Sequence, residues 1–176
     1  VMNFGMNQIL QGFTETATSV FGIYFKLQSF FFMPLFGING ATISIIAFNY
    51  GAKKPERIMK TLKIACGSGL VLMITGLLAF QLVPDLLLSM FNPSDAFLEI
   101  GRAALRTISW SFPVAAVCIV LGASFQALGN GIYSTITSLA RQMLVLLPAA
   151  YLLSLSGNVN LVWLAYPIAE VASAIA

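Results

Sequence analysis

Six apolar runs, separated by short polar breaks, organise this chain, and the lengths of the runs predict its elements. The first, "VMNFGMNQILQGF" (1–13), is too short for a bilayer that needs about 20 residues per helical crossing, and it lacks the basic region of a secretory signal. It reads as the remnant of a helix clipped at its start. The second run, 18–49, would reach ~48 Å at ~1.5 Å per residue, against a hydrocarbon core of ~30 Å. Tilt alone cannot absorb that excess, so a kink is expected at Pro34, with Gly37 and Gly40 just beyond it.

The third run, 58–83, stops at "PD" (Pro84, Asp85), and a short apolar tail leads to the turn "NPSD" (92–95), whose Asn, Pro and Asp favour chain reversal. Ser94 or Asp95 can cap the fourth run, 96–128, in which a kink is expected at Pro113. "GNG" (129–131) ends it. The fifth run, 132–155, is expected to kink at Pro148, and "SGNVN" separates it from the sixth, 159–176, still apolar where the sequence stops. The pattern predicts an all-α integral membrane bundle of four complete spans and two clipped ones.

Composition supports lipid as the solvent: 59% of the residues are hydrophobic, only 9% are charged, and the mean hydropathy is +0.90, far from the roughly 25% charge of soluble domains. Charge is also segregated. Of nine Lys and Arg, five (Lys53, Lys54, Arg57, Lys60 and Lys63) fall between residues 53 and 63, in the link between the second and third runs. Positive residues collect in cytoplasmic links, which places this one inside and, by alternation, the 92–95 link outside. The outer stretch from "PD" (84–85) to "NPSD" (92–95) carries Asp85 and Asp95, with no Lys or Arg before Arg102. The basic cluster is read as topology and lipid head-group contact; nucleic acid is no partner for a segment flanked by membrane.

Catalytic chemistry finds little footing. The chain has no His, which removes imidazole acid–base work and most zinc arrangements. Cys66 and Cys118 fall inside spans and read as free thiols packing as small apolar groups. "GNG" lacks the strand before it and the Lys after it that a phosphate loop requires. No enzyme, no metal and no cofactor is expected.

Polar chemistry at membrane depth remains. Lys26, Arg141 and Glu170 lie well inside the second, fifth and sixth runs. Facing lipid at the centre, each would cost about 2.5–3.5 kcal/mol, and three together about 8–10 kcal/mol, comparable with the whole stability of a domain. They are expected to face protein or water, and intramembrane charge is a functional candidate by default. Lys26 and Glu170 are reached from the same side of the membrane, so an ion pair between them is allowed; Arg141 either lines a cavity or snorkels to the cytoplasmic surface. Gln28, Asn39 and Gln126 add amide groups to the candidate pathway. Ser19, Gly22, Lys26 and Ser29 share one helical face, Ser134, Ser138, Arg141 and Gln142 another, and Ala115, Cys118, Gly122, Gln126 and Gly129 a third. Small-residue faces are expected to be helix contacts. The run "SFFFMP" (29–34) is expected to face lipid as bulk, its alternative being an aromatic wall for flat cations.

Several stretches together resemble a known family. "FKLQSFFFMPLFGINGATISIIAFNYGAKKPERI", "FQALGNG", "SLARQMLVLLPAAYLL" and "VWLAYPIAE" are similar to the carboxy-terminal half of multidrug and toxic compound extrusion (MATE) transporters, above all their bacterial multidrug branch. The resemblance covers nearly the whole chain, from the end of the seventh helix into the twelfth. It implies one six-helix lobe of a twelve-helix, two-lobed protein of the cell membrane, the bacterial inner membrane in this branch, with the amino-terminal lobe as its missing partner. It further implies export of organic cations and other toxic compounds in exchange for Na⁺ or H⁺. The chain departs from branches that hold the coupling ion on acids in the seventh and tenth helices: no acid lies between Arg106 and Gly129, Val117 stands where one is sought, and the retained seventh helix has none before Glu15. Two other classes stay open: a lipid-linked oligosaccharide flippase of the same superfamily, whose cavity would need several cations, and a non-transporting membrane scaffold, which would need no buried charge.

Overall fold

The structure, a computed structural model, describes residues 2–12, 15–91 and 94–175. Among them run α1 (Met2–Gln11), α2 (Glu15–Gly51), α3 (Pro55–Leu82), α4 (Pro84–Ser89), α5 (Asp95–Ser109) and α6 (Phe112–Ala127). Then come α7 (Gly131–Ala140), a π-helical turn (Arg141–Leu146), α8 (Leu147–Ser154), α9 (Val159–Val162) and α10 (Ala165–Ile175). Glu15–Gly51, Pro55–Leu82 and Gly131–Ser154 are each long and apolar enough to cross a bilayer, and the bent pair α5–α6 is long enough for a fourth when counted as one broken span. The last apolar stretch, Val159–Ile175, is shorter. Part of the "NPSD" turn lies outside the described residues, but its end is visible: the Phe97 N–H donates to Ser94 Oγ at 3.4 Å, so Ser94 is the cap of α5.

The prolines act differently from one another. Pro113 opens α6 just after a bend of 47° from α5. Its ring has no N–H to offer the preceding turn, and local hydroxyls serve the carbonyls near the break instead: Ser111 Oγ donates to Ile108 O at 2.7 Å and Ser109 Oγ to Arg106 O at 3.0 Å. Pro148 leaves its span continuous, but the six residues before α8 widen into the π turn. Pro34 lies inside α2 without ending it. At 37 residues this helix is ~55 Å long and overruns the bilayer, its far end meeting α3 through a turn in which Lys53 adopts a left-handed φ of 54°.

The core forms where α2, α3 and α6 pack against one another, with α5 against α2 and α10 against both α6 and the π turn. An aromatic chain holds its centre: Phe31–Phe80, Phe80–Phe112 and Phe112–Phe32 have ring centroids 5.5, 5.2 and 5.5 Å apart. This corrects in part the expectation that "SFFFMP" is lipid-facing bulk, since the run divides between core and outside. Phe30 is 75% exposed, but Phe32 is only 9% exposed and Phe31 packs against the core. α3 approaches this chain of rings through Gly76, where a Cβ would stand 3.1 Å from Phe31 and 3.3 Å from Phe112. Large apolar side chains cover the outside, among them Phe30 and Met33 of this same run, with Phe48 and Leu144.

Candidate ion and substrate site

The deepest polar contact joins two of the three membrane-depth charges. Arg141 Nη1 donates to Glu170 Oε1 at 2.8 Å and to Oε2 at 2.9 Å, with the two side chains only 20% and 15% exposed. Arg141 begins the π turn and Glu170 lies on α10, and these two elements pack together. A π turn inserts an extra residue and re-aims the side chains beside it, so the direction of Arg141 could not be read from a 3.6-residue count. The proposed Lys26–Glu170 pair is therefore corrected: Glu170 pairs with Arg141, and Arg141 is held in the bundle rather than snorkelling. Lys26 is exposed on the lobe surface and makes no ion pair among the described residues.

Around this pair are polar side chains that run and spacing arguments passed over. Tyr24 of α2 and Tyr166 of α10 meet edge to face, with centroids 5.8 Å apart, and Tyr24 lies within electrostatic reach of Glu170. Both hydroxyls are buried without a hydrogen-bond partner among the described residues, as is Trp163 Nε1. A buried polar group left unpaired costs about 1–3 kcal/mol, a cost that each of these three groups carries in this core. On α6, Cys118 lies within reach of Glu170, Arg141 and Ser173. It and Cys66 are free thiols. Tyr and Trp were passed over because they also fill cores as apolar bodies; for Tyr24, burial within reach of Glu170 is what sets it apart.

The remaining candidates separate. Gln126 Nε2 donates to Ser134 Oγ at 3.1 Å, and a Cβ on Gly122 would stand 3.4 Å from the same oxygen, so the α6 small-residue face packs on α7. The α2 face through Ser19, Gly22, Lys26 and Ser29 is different. Gly22 has open space around it, while Ser19 and Ser29 donate to Glu15 O and Phe25 O of their own helix. Among the described residues that face is open, not a helix contact. Gln28 is half-buried, two residues and so about 200° around α2 from Lys26, on the other side of the helix. Asn39 carries a buried Oδ1 without a partner, and buried Asn49, unmarked by its sequence context, donates to Ile45 O at 2.8 Å but leaves its Oδ1 unpaired. No group of three or more metal-ligating side chains occurs among the described residues.

Residues 1–152 match the MatE family. The chain belongs to the MATE transporter family. It is 22% identical over 157 residues to the probable multidrug resistance protein YoeA of Bacillus subtilis (strain 168), covering 88% of this chain and 34% of that protein. It is 24% identical over 159 residues to the multidrug export protein MepA of Staphylococcus haemolyticus (strain JCSC1435), covering 90% and 35%. Its fold matches the outward-facing conformation of a multidrug resistance MATE family transporter of the MOP superfamily at a TM-score of 0.91 and 20% identity, over 99% of this chain and 40% of that one. The chain thus spans about a third of the length of the curated relatives it matches. It is a multi-pass membrane protein of a family of multidrug transporters, not enzymes.

Proposed function

We propose that this MATE chain is the carboxy-terminal lobe of a multidrug efflux antiporter that exports organic cations in exchange for Na⁺ or H⁺. The observation that carries the reading is the family match over a third of a relative's length, joined to a lobe whose α2 face, through Gly22 and Lys26, stands open. An opposing lobe supplies the other wall of an alternating-access cavity. Lys26 lines that cavity, while Arg141 and Glu170 form a neutral pair within the lobe, in reach of a coupling ion. The basic link 53–63 faces the cytoplasm of a bacterial inner membrane.

Pairing also weighs on the flippase alternative. Glu170 neutralises Arg141, which leaves Lys26 as the lobe's cation for the cavity, too few for a pyrophosphate. A scaffold would have no use for a charge pair of this depth.

The decisive experiment reconstitutes the complete transporter in proteoliposomes and imposes Na⁺ and H⁺ gradients in turn. Expulsion of a cationic dye driven by one of them is expected. The 176-residue chain alone is expected to drive none, and co-expression with the companion lobe to restore it. Gradient-driven transport by the chain alone would replace the half-transporter reading with a small self-assembling exporter.

A further inference from the structure

Two shallow cavities that meet at Pro167 run along the surface from the α5–α6 bend onto α10. At one end, Arg106, Thr107 and Trp110 of the α5–α6 bend and Leu164 and Pro167 of the α9–α10 region line a cavity of about 350 Å³. Pro167 is shared with a second cavity of about 420 Å³, which continues along α10 over Ile168, Val171, Ala172 and Ile175 and is almost wholly apolar. The polar end lies toward the 92–95 and 156–158 links. The apolar end follows α10 ~12 Å further, at ~1.5 Å per residue, into the membrane.

The charge at the polar end is unspent. Arg102 and Arg106 are four residues apart on α5, so they stand on neighbouring turns of one face. Arg102 is satisfied by Asp85 at 2.6 Å. Arg106 is exposed and has no ion-pair partner among the described residues, although its backbone is fixed: its carbonyl accepts from Gln81 Nε2 at 2.8 Å. Its guanidinium can extend along its stem to the phosphate layer and suits a phosphate by its planar donor fork. Thr107 brings a hydroxyl, and Trp110, 65% exposed, is of the type that settles at the membrane interface.

We propose that this groove binds an anionic phospholipid, its phosphate on Arg106 and Thr107 beside the Trp110 ring, and one acyl chain along the Pro167–Ile175 face of α10. The site goes beyond transport and needs no substrate. Its head end is tied to the 92–95 link, so the leaflet it samples follows from the orientation proposed above, the outer one. Impermeant thiol labelling of Ser94→Cys settles that orientation separately, and an inside label would move the site to the other leaflet without removing it.

The test is native mass spectrometry of the complete transporter in micelles doped with phosphatidylglycerol or phosphatidylcholine. Retention of phosphatidylglycerol over phosphatidylcholine is expected, falling about fivefold in Arg106→Gln, as the loss of one basic residue near a lipid surface implies. Arg106→Lys should keep most of it, and Val171→Trp, which fills the apolar groove, should lose it with the charge intact. Equal retention by the wild type and Arg106→Gln, or no preference between the two lipids, overturns the proposal. Should Arg106→Gln fail to fold, Val171→Trp decides: undiminished binding in that variant overturns it too.

Discussion

Lys26 and Arg141 are both cations well inside a membrane-length helix, and the bundle treats them in opposite ways. Arg141 is four-fifths buried against Glu170, whereas Lys26 stands exposed on a face where Gly22 meets nothing. One charge is spent inside the lobe and the other is presented outside it. Depth along a helix says that a charge needs a partner; it does not say on which side of the lobe the partner lies.

The largest expected effect tests the buried half of this contrast. Arg141→Ala strands Glu170 in a low-dielectric interior, and breaking such a pair costs about 3–5 kcal/mol. The melting temperature of the purified complete transporter should fall sharply. Adding Glu170→Gln should recover part of the loss, since the second change removes the stranded charge. Strictly additive losses from the two changes would show that the pair is not coupled.

A second contrast sets closed glycines against an open one. A Cβ on Gly101 would stand 2.9 Å from Leu88 Cδ1, and one on Gly76 3.1 Å from Phe31. Gly101→Val and Gly76→Val should each cost about 1–3 kcal/mol by overpacking. Gly22→Val, with nothing within 4 Å, should change stability by less than about 0.5 kcal/mol, yet impair transport if the opposing lobe closes on that face. Equal destabilisation at all three positions, measured by thermal melting, would erase the distinction between packed and open faces.

Much of this fold was legible because membrane spans are long and uniformly apolar. The run 18–49 became α2 at Glu15–Gly51 and 58–83 became α3 at Pro55–Leu82, each displaced by only a few residues. Local chemistry was legible where it acts within one turn, as with the Ser94 cap and the Pro113 bend. Direction was not. A 3.6-residue wheel placed Gly22 and Gly122 on equivalent small-residue faces, but only Gly122 meets a neighbour. Nor could a wheel carry Arg141 across the π turn to Glu170. The Phe30–Phe32 run divides between lipid and core because consecutive helical residues point about 100° apart. Tyr24 and Tyr166 escaped notice for a related reason, since their role depends on a contact between helices remote in sequence.

The smallest expected effect on stability belongs to Lys26. Because the side chain is exposed and makes no ion pair among the described residues, Lys26→Ala strands no partner in this lobe and should shift stability by no more than about 0.5 kcal/mol, the range of ordinary surface changes. Its effect on transport should be larger than its effect on melting, because a cation on the open α2 face tunes what the cavity admits. Repulsion from one positive charge disfavours cationic substrates, so removing it should raise the apparent affinity for a cationic dye and lower it for an anionic one. Lys26→Arg, which keeps the charge, should behave as the wild type in both assays. If Lys26→Ala instead destabilises the transporter as strongly as Arg141→Ala, Lys26 has a buried partner on the companion lobe, and its contrast with Arg141 is one of location alone.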